Sequence, residues 1–127
     1  MLYLIVFLGA GLGGALRHGV NVAAARLFAY GLPLGTLAVN VVGSLLIGLL
    51  AGYFAYRTGI SQHMRLFLTT GVLGGFTTFS AFSLDTALLI ERNAFAQAAL
   101  YVLASVLMSL VAVFAGLALF RASGNLP

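Results

Sequence analysis

The chain has 127 residues, of which 62% are hydrophobic and only 6% charged, with a formal net charge of +4. A soluble domain of this size has a high surface-to-volume ratio and needs a far more charged surface. Its basic side chains are all Arg (Arg17, Arg26, Arg57, Arg65, Arg92 and Arg121) and stand singly, which excludes the clustered basic face that binds nucleic acid.

Cysteine is absent, so there is no disulfide framework, thiolate metal site or cysteine nucleophile. A membrane-crossing helix takes about 20 apolar residues, so the length allows about four with short connections. The first apolar run begins near Leu2 and passes Arg17 to about Tyr30. No basic segment precedes it, so it reads as a first span and not as a cleaved signal. Leu32-Pro33 then marks a break, since Pro suits the first turn of a new helix.

The second run extends from about Pro33 to Tyr56, and a polar connector covers Arg57 to His63. The third run extends from about Met64 to Ile90, with a tight turn expected at Glu91-Arg92-Asn93. The fourth extends from about Ala94 to Phe120, leaving Arg121 to Pro127 as a tail. This predicts an all-α membrane protein, residues 1–127 forming a single four-helix transmembrane domain.

The third run is not a uniform helix. Gly71 to Ser80 packs three glycines and three hydroxyl residues into ten positions. Glycine pairs disfavour continuous helix, and hydroxyls can satisfy the backbone groups that a break frees. The expectation is a helix broken near Gly74 to Thr78. In lipid such a break survives only where it is buried in protein or lines a cavity.

An even number of spans puts both termini on one side, together with Arg57, Arg65 and Arg121. Arg26 and Arg92 fall on the other side, and Arg17 is left uncounted. Three against two gives little orientation signal under the positive-inside rule, which permits insertion both ways and an antiparallel homodimer.

Few side chains could carry chemistry. On the second span Thr36, Asn40, Ser44, Gly48 and Gly52 recur every four residues and share one helix face. Small residues there let helices approach closely. Asn40 offers two donors and an acceptor and is costly if unpaired in hydrocarbon. It forms either an interhelical hydrogen bond or a donor beside an ion path. On the fourth span Tyr101, Ser105 and Ser109 repeat the four-residue spacing up to Val113; they either line a path or bond back to their own helix.

Phe79 and Phe82 lie three apart, with Ser80 and Ser83 following at the same spacing. Phe rings are commonly packing bulk, but their positive edges can also contact an anion. Such contacts, with amide and hydroxyl donors, would suit a small hydrated anion without trapping it. Arg17 either snorkels to the interface or makes an electropositive entrance.

Asp85 and Glu91 are the only carboxylates. Together with His18 and His63 they show no spacing for acid–base catalysis or a transition-metal site. Gly11-Leu12-Gly13-Gly14 follows no strand, which rules out a dinucleotide loop. No enzyme constellation remains.

The stretches Gly13 to Arg17, Gly35-Thr36-Leu37 with Asn40 to Ser44, and Gly71 to Ser83 resemble the Fluc (CrcB) family of fluoride channels, in order and spacing over nearly the whole chain. The resemblance implies a passive fluoride channel in the bacterial inner membrane, an antiparallel dual-topology homodimer with two fluoride pathways and a central structural sodium ion. It implies a pathway of Asn40, Phe79, Ser80 and Phe82, with Tyr101, Ser105 and Ser109 as a polar track. Arg17 corresponds to a vestibule arginine, and Gly74 and Thr77 to positions whose carbonyls hold the sodium. His18, Ala81, Asp85 and Val113 depart from the family's usual residues.

Two other readings compete. A small multidrug-type exporter would need a carboxylate in its first span, and this first span has none. A helper subunit assembling through glycine stripes would not account for the Asn, Phe and hydroxyl set.

Overall fold

The computed structural model describes residues 1–28 and 31–123. The expected end of the first run at Tyr30 and the end of the tail, residues 124–127, lie outside the described residues. Among the described residues all regular structure is helical. Four stretches are long and apolar enough to cross a membrane: Leu2–Leu27, Leu34–Tyr56, Gln62–Glu91 and Phe95–Ala122. The chain is a multi-pass membrane protein, as its composition predicts.

Helix α1 spans Leu2–Leu27 and ends where Phe28 turns extended. Pro33 caps α2, Leu34–Tyr56, since a missing N–H costs nothing at a helix start. The third crossing is built in pieces: α3 (Gln62–Leu66), a π-helical stretch (Phe67–Leu73), α4 (Gly74–Phe76) and α5 (Phe79–Glu91). Ser61 accepts the Met64 N–H and caps its start. Thr69 Oγ1 donates to the Arg65 carbonyl at 2.7 Å. A side chain competing for the ladder in this way widens a helix toward π geometry. The turn after α5 uses Asn93 in the left-handed region, at φ 59°, a conformation Asn tolerates. Helix α6 is Phe95–Ala122.

The break falls later than the glycines that suggest it. Gly74 and Gly75 remain helical, and only Thr77 and Thr78 are extended. A Cβ on Gly75 would run into the Ala10 carbonyl of α1. That glycine therefore serves close approach of the third crossing to α1.

The same device joins α2 to α6. A Cβ on Gly48 would strike the Val113 carbonyl, and one on Gly116 the Leu45 carbonyl. With the two backbones this close, the polar face of α2 is held beside α6. Near the other end Leu89, Ala98 and Tyr101 are buried together against Leu37 and Phe82.

Gly48→Ala should force α2 from α6 and destabilise the fold by about 1–3 kcal/mol, as overpacking does. Gly11→Ala meets no atom within 4 Å and should be neutral or slightly stabilising. Thermal unfolding in detergent, followed by size-exclusion recovery, checks the pair. Equal stability of both variants would contradict the close α2–α6 approach.

Candidate functional site

An uninterrupted helix would give the Thr78 N–H to the Gly74 carbonyl. Here Thr78 N–H donates to Asn40 Oδ1 at 2.8 Å, and Asn40 Nδ2 donates to the Thr78 carbonyl at 2.9 Å. One amide thus replaces both backbone bonds of one broken residue. Thr78 in turn caps α5, its Oγ1 accepting the Ala81 N–H at 3.1 Å. Thr77 Oγ1 donates to the Leu73 carbonyl at 2.9 Å. Both backbone groups of Thr78 and the hydroxyls of Thr77 and Thr78 are thus bonded within the protein, as a bilayer interior requires.

This break forms one wall of an open groove of about 480 Å³. From α2 come Asn40, Gly43, Ser44 and Ile47; from the third crossing Gly74, Thr77, Thr78, Phe79 and Phe82; from α6 Ser105 and Ser109. Gly43 makes room for the break, since a Cβ there would meet the Thr77 methyl. Among the described residues no charged side chain lines the groove. Its polar groups are neutral donors and acceptors set in mainly apolar walls.

Three features of the groove are suited to an anion. Phe79, the first residue of α5, lines it, so the positive end of a 13-residue helix opens here. Ser105 Oγ, on a residue only 6% exposed, has no hydrogen-bond partner among the described residues. A buried hydroxyl without a partner carries a desolvation cost, which a ligand in the groove would remove. Asn40 also keeps one amide donor beyond its bond to Thr78. The remaining feature suits a cation: Gly74 is exposed on the groove, and its carbonyl has lost its helical donor to Asn40.

The aromatic rings run on from the groove in a chain. Phe79 and Phe82 have centroids 5.5 Å apart, and Phe82 and Tyr101 lie 5.3 Å apart. Tyr101, 2% exposed, donates its hydroxyl to Asp85 Oδ2 at 3.1 Å.

Of the residues expected to form a path, Asn40, Phe79, Phe82, Ser105 and Ser109 share the groove, as do Gly74 and Thr77. Tyr101 sits behind Phe82, outside the lining set. Ser80 is exposed and also outside it, with its Oγ 3.4 Å from Thr78 Oγ1. Arg17 stands apart on α1 and does not line the groove. The interhelical-bond reading of Asn40 holds, its amide bonding Thr78 of the third crossing, and the same residue lines the groove. Sequence reasoning missed Thr78 as its partner and Asp85 as the acceptor for Tyr101. The available signal was a lone amide and a lone carboxylate in apolar runs, each of which demands a partner.

Residues 4–117 match the family model described as CrcB-like protein, Camphor Resistance (CrcB). A protein of a Rhodopseudomonas palustris strain named fluoride-specific ion channel FluC is 59% identical over 122 residues, covering 96% of this chain and 98% of the relative. One of the same name from Methylobacterium nodulans is 63% identical over 121 residues, 95% and 97% of the two chains. A third, from Granulibacter bethesdensis, is 55% identical over 121 residues, 95% of each.

Asn40→Leu should leave the Thr78 N–H and carbonyl unsatisfied and destabilise the protein by about 1–3 kcal/mol for each group. Thr78→Val should cost about 1 kcal/mol through the lost cap. Thermal unfolding of both variants in detergent checks this order. An Asn40→Leu protein as stable as its parent would show that the break does not depend on the amide.

Proposed function

The chain belongs to the CrcB-like family, and from that premise we propose that it is a passive, fluoride-selective channel that exports cytoplasmic fluoride and confers fluoride resistance. The observation that carries the site assignment is the unpartnered Ser105 hydroxyl, buried on a groove that also receives the N-terminus of α5. Neutral donors can replace water around a small anion without holding it permanently. In acid surroundings HF enters a cell uncharged and dissociates inside. A membrane potential negative inside drives the anion out at about 2.3 kcal/mol per 100 mV, so no energy-coupling motif is required.

The pathway is assigned to Asn40, Phe79, Phe82, Ser105 and Ser109, which share the groove. Tyr101 extends it behind Phe82, Ser80 flanks the start of α5, and Arg17 is assigned to an electropositive approach. A single chain does not wall this pathway. Phe79 is 79% exposed, and Val106 and Leu110 on the groove are exposed as well. An antiparallel homodimer in the bacterial inner membrane, two copies inserted in opposite orientations, would cover the grooves; the near balance of arginines between the two ends favours it.

The residues of the break fit a structural sodium ion. Gly74 and Thr77 from each of two copies would supply carbonyl oxygens, the donor type a hard cation takes. Broken membrane helices place carbonyl ends near cations and N-termini near anions, and the Gly74 carbonyl has been released from its helical donor. The ion would neutralise the carbonyl ends between the copies.

Fluoride efflux from liposomes containing only this protein, read with a fluoride electrode, tests the function; a chloride gradient should give little flux. Ser105→Ala removes a hydroxyl that bonds nothing in the protein, so stability should hold while fluoride flux falls about tenfold, the scale of one hydrogen bond to a charged group. Phe82→Ile should cut flux with the fold intact. Undiminished flux in both would remove the groove as the pathway. Labelling of Gln62→Cys, an exposed position, should reach both membrane sides in cells; labelling from one side only would contradict opposite insertion.

A further inference from the structure

Asp85 and Glu91, the only carboxylate side chains of the sequence, both lie on α5. The helix order places the end of α2 and the start of α3 at the opposite end of the bundle, with Arg57, Arg65 and Arg121. Among the described residues no acidic side chain stands at that end.

Two of these guanidiniums rest on aromatic faces. Arg57 lies over the Tyr53 ring at 5.7 Å, and Arg65 over the Phe54 ring at 5.4 Å. Arg65 Nη2 also donates to the Phe54 carbonyl at 3.3 Å. The Tyr53 and Phe54 rings are themselves 5.8 Å apart, so neighbouring supports carry the two cations. The connection between them turns at Gly59, whose φ of +87° suits glycine. Both arginines are exposed. Each has five N–H donors; among the described residues Arg65 makes one hydrogen bond and Arg57 none.

The surrounding rings set the depth. Tyr56 stacks on Phe120 at 5.8 Å, and Tyr53 meets the same ring edge-on at 6.1 Å. Aromatic clusters at a span end sit at the headgroup level of a bilayer. Pre-oriented guanidiniums with free donors at that depth match a planar, bidentate oxyanion acceptor.

We propose that Arg57 and Arg65 form a binding site for the phosphodiester of an anionic phospholipid. The site is separate from the groove and rests on the four membrane spans, not on the assignment of the conducted ion. Contact with the Tyr53 and Phe54 ring faces distinguishes these arginines from a snorkelling charge without an aromatic support.

The test is native mass spectrometry of the full chain in detergent, titrated with phosphatidylglycerol or phosphatidylcholine. The parent should prefer phosphatidylglycerol. R57Q/R65Q should weaken phosphatidylglycerol binding by at least about tenfold, on the scale of a few-fold for each arginine near an anionic surface, and leave phosphatidylcholine unchanged. R26Q/R92Q, at the other end, should keep the preference. R57Q alone breaks no hydrogen bond and should lose about fivefold. Binding by R57Q/R65Q within twofold of the parent would overturn the site, as would equal losses in both double variants. Displacement of the lipid by millimolar inorganic phosphate would assign the arginines to a soluble anion instead. Loss of a dimer peak with lipid binding per chain unchanged would assign them to a carboxylate of a second copy. Either result would overturn the proposal.

Discussion

A peptide group in the bilayer core must be hydrogen-bonded by protein, because hydrocarbon offers no replacement for water. The third crossing breaks at Thr77 and Thr78, and the Asn40 amide meets this requirement by taking both backbone bonds of Thr78. The rest of the groove depends on that exchange. With the Thr78 N–H diverted, the Gly74 carbonyl is released, α5 starts afresh under the Thr78 cap, and Phe79 and Phe82 project beside Asn40. One break therefore presents a carbonyl end and an N–H end to neighbouring space, with opposite electrostatic character.

The amide can do this only if α2 is held at the right depth. Gly48 and Gly116 let α2 and α6 approach until backbone meets backbone, and Gly75 does the same between the third crossing and α1. Gly43 leaves space for the Thr77 side chain. Small residues act here as spacers that fix a polar contact, beyond the general benefit of close helix packing in lipid. The Tyr101–Asp85 bond closes the far side, where Phe82 lies against the Tyr101 ring.

Much of this was legible in the chain because membrane helices write their faces at a spacing of four. Asn40 and Ser44 of the α2 stripe and the Ser105–Ser109 pair share the groove, while Thr36 of the same stripe lies outside it. The spacing could not show which element each face meets. Asn40 and Thr78 are 38 residues apart, and Tyr101 and Asp85 are 16 apart, so composition revealed the need for a partner but not its identity. The Gly74-Gly75 pair pointed to the break only approximately. Its helix propensity is poor, but packing against Ala10 keeps Gly75 helical, and the chain yields at the two threonines where side chains supply replacement bonds. Ser80 shows the limit of local spacing: a residue beside the break is exposed yet lies outside the groove lining.

The central claim is that two copies bring their broken third crossings together and so close the pathways that each chain leaves open. A high-resolution map of the assembled protein in lipid tests it most directly. The account predicts the two Thr77–Thr78 breaks facing each other across a two-fold axis, with Gly74 and Thr77 carbonyls of both copies around one cation at about 2.4 Å, by analogy with other hard-cation oxygen sites. A map with the two breaks far apart, each turned toward lipid, would contradict it.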